Sequence, residues 1–194
     1  MATDLRPATD ILADLVRDVR DDQLGARTPS GGIPVGDLLD HIDSLAEAFT
    51  NAATKTGIGT SAPPPAPKAD HLGDDWRDRI PTRLAALSDA WAAPEAWSGA
   101  TRAGGLDLPG EEAGAVALNE VLVHGWDLAV AIGRRYPGDD PALTDAVQSA
   151  HRWVSAITST SPDGIPGLFG PRVRISPDAP AFDQLLAATG RLPR

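Results

Sequence analysis

Apolar residues recur along this chain at the three- and four-residue spacing of amphipathic helices. Ile11, Leu12, Leu15 and Val19 predict a first helix, capped by Thr9 or Asp10 and running to about Asp22. Leu38, Ile42, Leu45 and Phe49 form the stripe of a second, which fades near Thr56 and Gly57. Trp76, Ile80, Leu84, Leu87 and Trp91 share one face of a third, roughly Asp74 to Ala92, with a kink expected at Pro81. A fourth helix spans about Glu111 to Ile132 with Gly133 as its C-terminal cap, and a fifth Pro141 to about Ile157. Phe182 to Leu186 suggests a last short helix and Arg172 to Ser176 a short strand.

The punctuation between these stripes is clear in places. Thr28 to Pro34 is a turn by composition, and Gly59 to Pro67 reads as a polyproline-like connector long enough for the next helix to cross the molecule. Trp97 to Pro109, rich in glycine, reads as an extended segment or loop. Four or five amphipathic helices with one long crossover predict an all-α helical bundle. Residues 1–160 would form the bundle and 161–194 a short C-terminal extension packed on it.

Within the fourth stripe the apolar pattern is interrupted by chemistry. Glu120 and His124 stand four residues apart and project from one helix face, and Asp127, three residues further on, falls close to the same line. Val116, Val123 and Leu128 flank the pair, and an unpaired ionised carboxylate among them would cost several kcal/mol. A divalent metal resolves that cost, although a Glu-x-x-x-His pair by itself is more often solvated or internally hydrogen-bonded. A third ligand must come from His41, His71 or His151. His41 sits at the edge of the second helix's stripe, turned toward the core, and is the natural choice. His71 reads as exposed, and His151 has no acidic residue four positions away. Asp127 could orient a ligand histidine through its second ring nitrogen, and Trp126 reads as a packing residue. Arg83 falls near the stripe of the third helix. Its plain reading is a packed stem with a solvated head; its functional reading is a guanidinium aimed at the metal cleft to bind an anionic substrate group.

Composition narrows the chemistry further. At 194 residues, 42% hydrophobic and 23% charged, the chain can bury one substantial core. A net charge of -10 with no basic cluster argues against nucleic acid, and no run approaches a membrane span or signal peptide, so a cytoplasmic protein acting on small molecules is expected. The absence of cysteine excludes disulfides, thiolate ligands and a cysteine nucleophile, so any thiol chemistry must use an external thiol. Trp153 and Val154 could supply an apolar stripe for a homodimer.

Taken together, Thr28-Pro29, Leu38-Leu39-Asp40-His41, the block Glu120 to Ala129 containing His124-Gly125-Trp126-Asp127-Leu128, and Arg191-Leu192-Pro193 after Ala188-Thr189-Gly190 form a recognisable pattern. It resembles the actinobacterial mycothiol-dependent maleylpyruvate isomerase metal-binding domain family of the DinB-like superfamily. The resemblance implies a DinB-like four-helix bundle and a divalent ion, usually zinc, held by His41, Glu120 and His124. Where relatives commonly read Thr-Pro-Cys-x-x-Trp before the second helix, this chain has Ser30 and Ile33. The larger C-terminal domain of the isomerase corresponds here to the short segment Phe169 to Arg194.

Two histidines and one carboxylate leave a divalent ion with open positions, as catalytic sites require. The leading expectation is a metal-dependent enzyme using a low-molecular-weight thiol such as mycothiol as co-substrate, for thiol transfer or isomerisation. The alternative is a non-catalytic metal-binding module with a small-ligand pocket. Hydrolysis by metal-bound water fits the ligands but has no substrate signal.

Overall fold

The computed structural model describes residues 2–56, 66–161 and 163–193 and is mostly helical. Its helices are α1 (Arg6–Asp18), α2 (Val35–Thr54), α3 (Trp76–Trp91), α4 (Gly110–Ala131), α5 (Thr144–Thr158) and α6 (Ala181–Ala188). One antiparallel hairpin, β1 (Ala100–Ala103) with β2 (Leu106–Pro109), precedes α4.

Helices α1 to α4 each meet two others of the set, α1 against α3 and α4 and α2 against α3 and α4, which encloses a common core. That core takes Leu12 and Val16 from α1, Leu38 and Ile42 from α2, Ile80 and Leu84 from α3, and Leu118 and Leu122 from α4. Helix α4 is apolar around nearly its whole circumference because α5 covers the side that α1 and α2 leave open, and α6 packs on α5 in turn. Small residues make these approaches possible. A Cβ at Gly114 would meet the indole of Trp97 at 2.5 Å, so the turn before the hairpin can press on α4 only at a glycine.

Several boundaries differ from expectation. Helix α1 starts earlier because Pro7 suits the first helical turn, and it ends at Asp18; Asp21–Gln23 forms a separate 3-10 turn. Pro141 to Leu143 is likewise a 3-10 turn that leads into α5. Helix α3 continues through Pro81. Trp97 to Pro109 contains the hairpin, whose turn Gly104-Gly105 has φ of 58° and 83°, the left-handed pair a tight hairpin needs. The strand expected at Arg172 to Ser176 does not form. Pro171 and Pro177 bracket it, and the backbone contact recorded there runs from the Val173 N–H to the Ala187 carbonyl at 2.9 Å. Of the polyproline-like connector, residues 59–65 lie outside the described residues.

No helix among the described residues is long and apolar enough to cross a membrane. Trp153 and Val154 do not form a free apolar stripe. Val154 is fully buried, and the Trp153 ring packs edge-on against Phe169 with centroids 5.9 Å apart.

Candidate metal centre

Helices α2 and α4 cross so that residues 79 positions apart meet. His41 Nε2 lies 3.3 Å from Glu120 Oε2, and His124 Nε2 lies 3.1 Å from the same oxygen. One donor atom from each of the three residues falls within 4.8 Å of the others. Atoms bound about 2.0–2.2 Å from one ion stand about 3.0–3.6 Å apart around it, a spacing that both histidine contacts to Glu120 match. The donor types, two imidazole nitrogens and a carboxylate oxygen, suit a divalent ion.

Burial makes the arrangement demanding. The side chains of Glu120 and His124 are 15% and 11% exposed, His41 36%. Burial pushes the Glu120 carboxyl up, but hydrogen bonds and charge from His124 and His41 outweigh it and hold the group well below the carboxylate range. Burial alone would lower the His124 imidazole. Asp127 and Glu120, on its two nitrogens, instead raise it from 6.5 to about 9. Glu120 and His124 therefore form a compact pair of opposite charges, which a cation would enter by displacing the His124 proton.

Asp127 is where the site connects to the rest of the fold. Its side chain is fully buried and its Oδ2 accepts from His124 Nδ1 at 3.0 Å, which turns Nε2 toward Glu120 and His41. Arg191, after α6, donates to the same carboxylate, with Nη2 2.9 Å from Oδ2, and reaches Ser30 Oγ at 3.3 Å. Nothing in helical periodicity singled out Arg191; its only signal was its place in the family pattern.

A cavity of about 760 Å³ opens onto His41, Glu120 and His124. Leu45 and Phe49 of α2, Val116 and Val123 of α4, Trp153 of α5 and Phe169 give it apolar walls. Asn119 and Arg191 also line it.

Arg83 does not face this cavity, contrary to its functional reading. Its Nη1 lies 3.0 Å from Asp43 Oδ1 and its Nη2 3.0 Å from Glu47 Oε2, both on α2, because α3 packs its arginine side against that helix's acidic edge. His71 lies outside the trio and pairs with Asp40 at 3.0 Å. His151, on α5, is shifted down by burial and by Arg172. Trp126 is buried in the core.

Fold and site together define a helical protein with a two-histidine, one-carboxylate centre between two helices and an adjoining small-molecule cavity. The chain belongs to the mycothiol maleylpyruvate isomerase N-terminal domain family, whose profile matches residues 5–129, a span that includes His41, Glu120, His124 and Asp127. Among curated proteins it is similar to two uncharacterized proteins of Mycobacterium tuberculosis, 27% identical over 187 residues and covering 96% of this chain and 95% of each relative. Among solved structures it is similar to the mycothiol-dependent maleylpyruvate isomerase, with a TM-score of 0.59 at 22% identity over 78% of this chain. A point variant of that enzyme gives 0.57 at 20% identity. The chain spans 65% of the length of the isomerase structure, and at this identity the likeness concerns the fold.

Proposed function

We propose that this protein is a divalent-metal enzyme that uses an external low-molecular-weight thiol of the mycothiol type for thiol transfer or isomerisation. The observation that carries the reading is the convergence of His41, Glu120 and His124 donor atoms within 4.8 Å on the wall of a small-molecule cavity. Family membership points to mycothiol, and the absence of cysteine means that the sulfur must come from outside the chain. In this reading the fold is a DinB-like four-helix bundle over residues 1–160 with 161–194 as an extension, and the protein works in the cytoplasm.

His41, Glu120 and His124 would hold the ion, most readily zinc given the N and O donors and the family. Bound there, it would lower the pKa of a coordinated thiol so that thiolate is available near neutral pH. The protein's own part is positional. Asp127 fixes the His124 ring, Arg191 holds the Asp127 carboxylate in place, and the apolar walls exclude water from the reacting carbon. For isomerisation, the thiolate sulfur adds to one carbon of a cis double bond, the new single bond rotates, and expulsion of the same thiolate leaves the trans product. For transfer, the sulfur stays on carbon and the electrophile's leaving group departs with the electron pair.

The test pairs elemental analysis with turnover. The expected result is one divalent ion per chain, lost in His124→Ala and Glu120→Gln, and a thiol-dependent product from mycothiol and a panel of electrophiles. A chain that binds metal but turns over no thiol would instead be a non-catalytic metal-binding module, and one that cannot be loaded with any divalent ion overturns the proposal.

A further inference from the structure

Resting on the thiol-enzyme reading, we infer that the electrophile carries a hydrocarbon chain: its reacting end lies at His41, Glu120 and His124, and the chain runs from there to the cavity mouth, over Leu106 and Leu168. The character of the mouth carries the assignment.

Among the described residues three large hydrophobic side chains are exposed: Leu106 at 67%, Leu168 at 45% and Leu192 at 65%. Leu106 and Leu168 both line the cavity that opens onto the metal trio. A side chain that is exposed and also lines a cavity stands where the cavity meets solvent. The two come from distant segments, Leu106 directly after the Gly104-Gly105 turn of the hairpin and Leu168 from the loop between α5 and α6. One exposed leucine is ordinary. Two brought by distant segments to one opening give a site an apolar rim, and exposed apolar surface gathered at a site marks what binds there.

The interior continues that character. Phe49 of α2, Leu108 of β2, Val116 of α4 and Ile157 of α5 line it, and its volume of about 760 Å³ falls in the upper part of the ~300–1,000 Å³ range that encloses drug-sized ligands. A mycothiol-type thiol does not account for the rim. Its body is a glycoside rich in hydroxyls, and hydroxyls set against leucine without partners are unfavourable. The apolar surface is left for the other reactant. A compact body enclosed by the walls would leave the two leucines wet, whereas an alkyl chain extends to them and gains up to about fourfold in affinity for each methylene it buries.

The experiment is calorimetric titration of the purified, metal-loaded full chain with butano-, heptano- and decanohydroxamic acids, whose common head anchors at a divalent ion and whose tails differ by three methylenes per step. Affinity should rise ~tenfold at each step. In the double variant Leu106→Ser, Leu168→Ser, decanohydroxamate should bind about fivefold or more weakly while butanohydroxamate binding is unchanged. Both leucines are exposed, so the fold does not rest on them. Equal affinity along the series, no binding by any probe, or a double variant that holds the longest probe as well as before overturns the inference. Sedimentation of the same samples covers the other use of such a rim: a dimer that dissociates in the double variant with decanohydroxamate binding unchanged assigns the leucines to a contact between copies and overturns it too. Metal content separates the two claims: a loaded protein without length dependence sinks only this inference, whereas length dependence in a chain that cannot be loaded sinks only the metal enzyme.

Discussion

Asp127 and Arg191, 64 residues apart in sequence, are joined by two contacts: Nη2 to Oδ2 at 2.9 Å and Nε to Oδ1 at 3.4 Å. The same Oδ2 accepts from His124 Nδ1, so a single buried carboxylate ties the segment after α6 to a candidate metal ligand on α4. The C-terminal residues are therefore part of the site's support.

Removing the arginine should be costly. Asp127 is fully buried and the Arg191 side chain is 10% exposed, so Arg191→Leu leaves a carboxylate with half its compensation gone. We expect a loss of about 3–5 kcal/mol in urea unfolding, the range for breaking a buried pair from one side. Asp127→Asn added to Arg191→Leu should recover part of that loss, and a double variant as unstable as the single one would show that charge is not the cause.

Asp127→Asn alone tests the support of the ligand. The amide cannot hold the His124 ring as a carboxylate does, and outer partners of metal-bound histidines are worth about 10–100-fold in affinity. Competition with a chromophoric chelator should show a loss of that size with the stoichiometry unchanged.

The metal-free protein should lose stability at both ends of the pH scale. The His124 imidazole is raised from 6.5 to about 9 by Asp127 and Glu120, so its contribution is fully present below 6.5 and lost as pH rises through about 9. Glu120 is lowered from 4.5 by His124 and His41, so its contribution is present above 4.5 and lost as pH falls toward its folded value. Metal needs His124 neutral at Nε2, so loading at pH 7 should release protons. Calorimetry in two buffers of different ionisation enthalpy counts them, and no release would contradict a protonated His124.

The helices and the metal trio were legible in sequence because both rest on one periodicity. Apolar stripes at helical spacing located α2 and α4, and the same spacing put Glu120 and His124 on one face with His41 opposite. Arg83 shows where that logic ends. Its angle on α3 was readable, but Asp43 and Glu47 on another helix capture its guanidinium, and pairing across helices leaves no trace in periodicity. Arg191 was hidden from periodicity for the same reason, since its role is defined by the distant carboxylate that it meets. The hairpin at residues 100–109 was half visible: the glycine-rich stretch read as an extended segment or loop, and four-residue strands are too short for alternation to declare itself.

Gly125, between His124 and Trp126, makes a last prediction that separates packing from ligation. A Cβ there would stand 2.8 Å from Tyr136 Cε2, and Tyr136 stacks on Phe182 of α6 with centroids 5.0 Å apart and planes 17° from parallel. Gly125→Ala must therefore move the tyrosine ring, and the movement passes to α6, which Arg191 follows by three residues. Overpacking of this kind costs about 1–3 kcal/mol. The nearest atoms to that Cβ all belong to Tyr136 and none to a candidate ligand, so thermal unfolding should show a lower Tm while metal stoichiometry stays intact. Tyr136→Leu in the same chain should relieve the clash, making the double variant more stable than the two separate losses add up to. Strict additivity would mean that the alanine acts through the backbone of α4 and not through the ring.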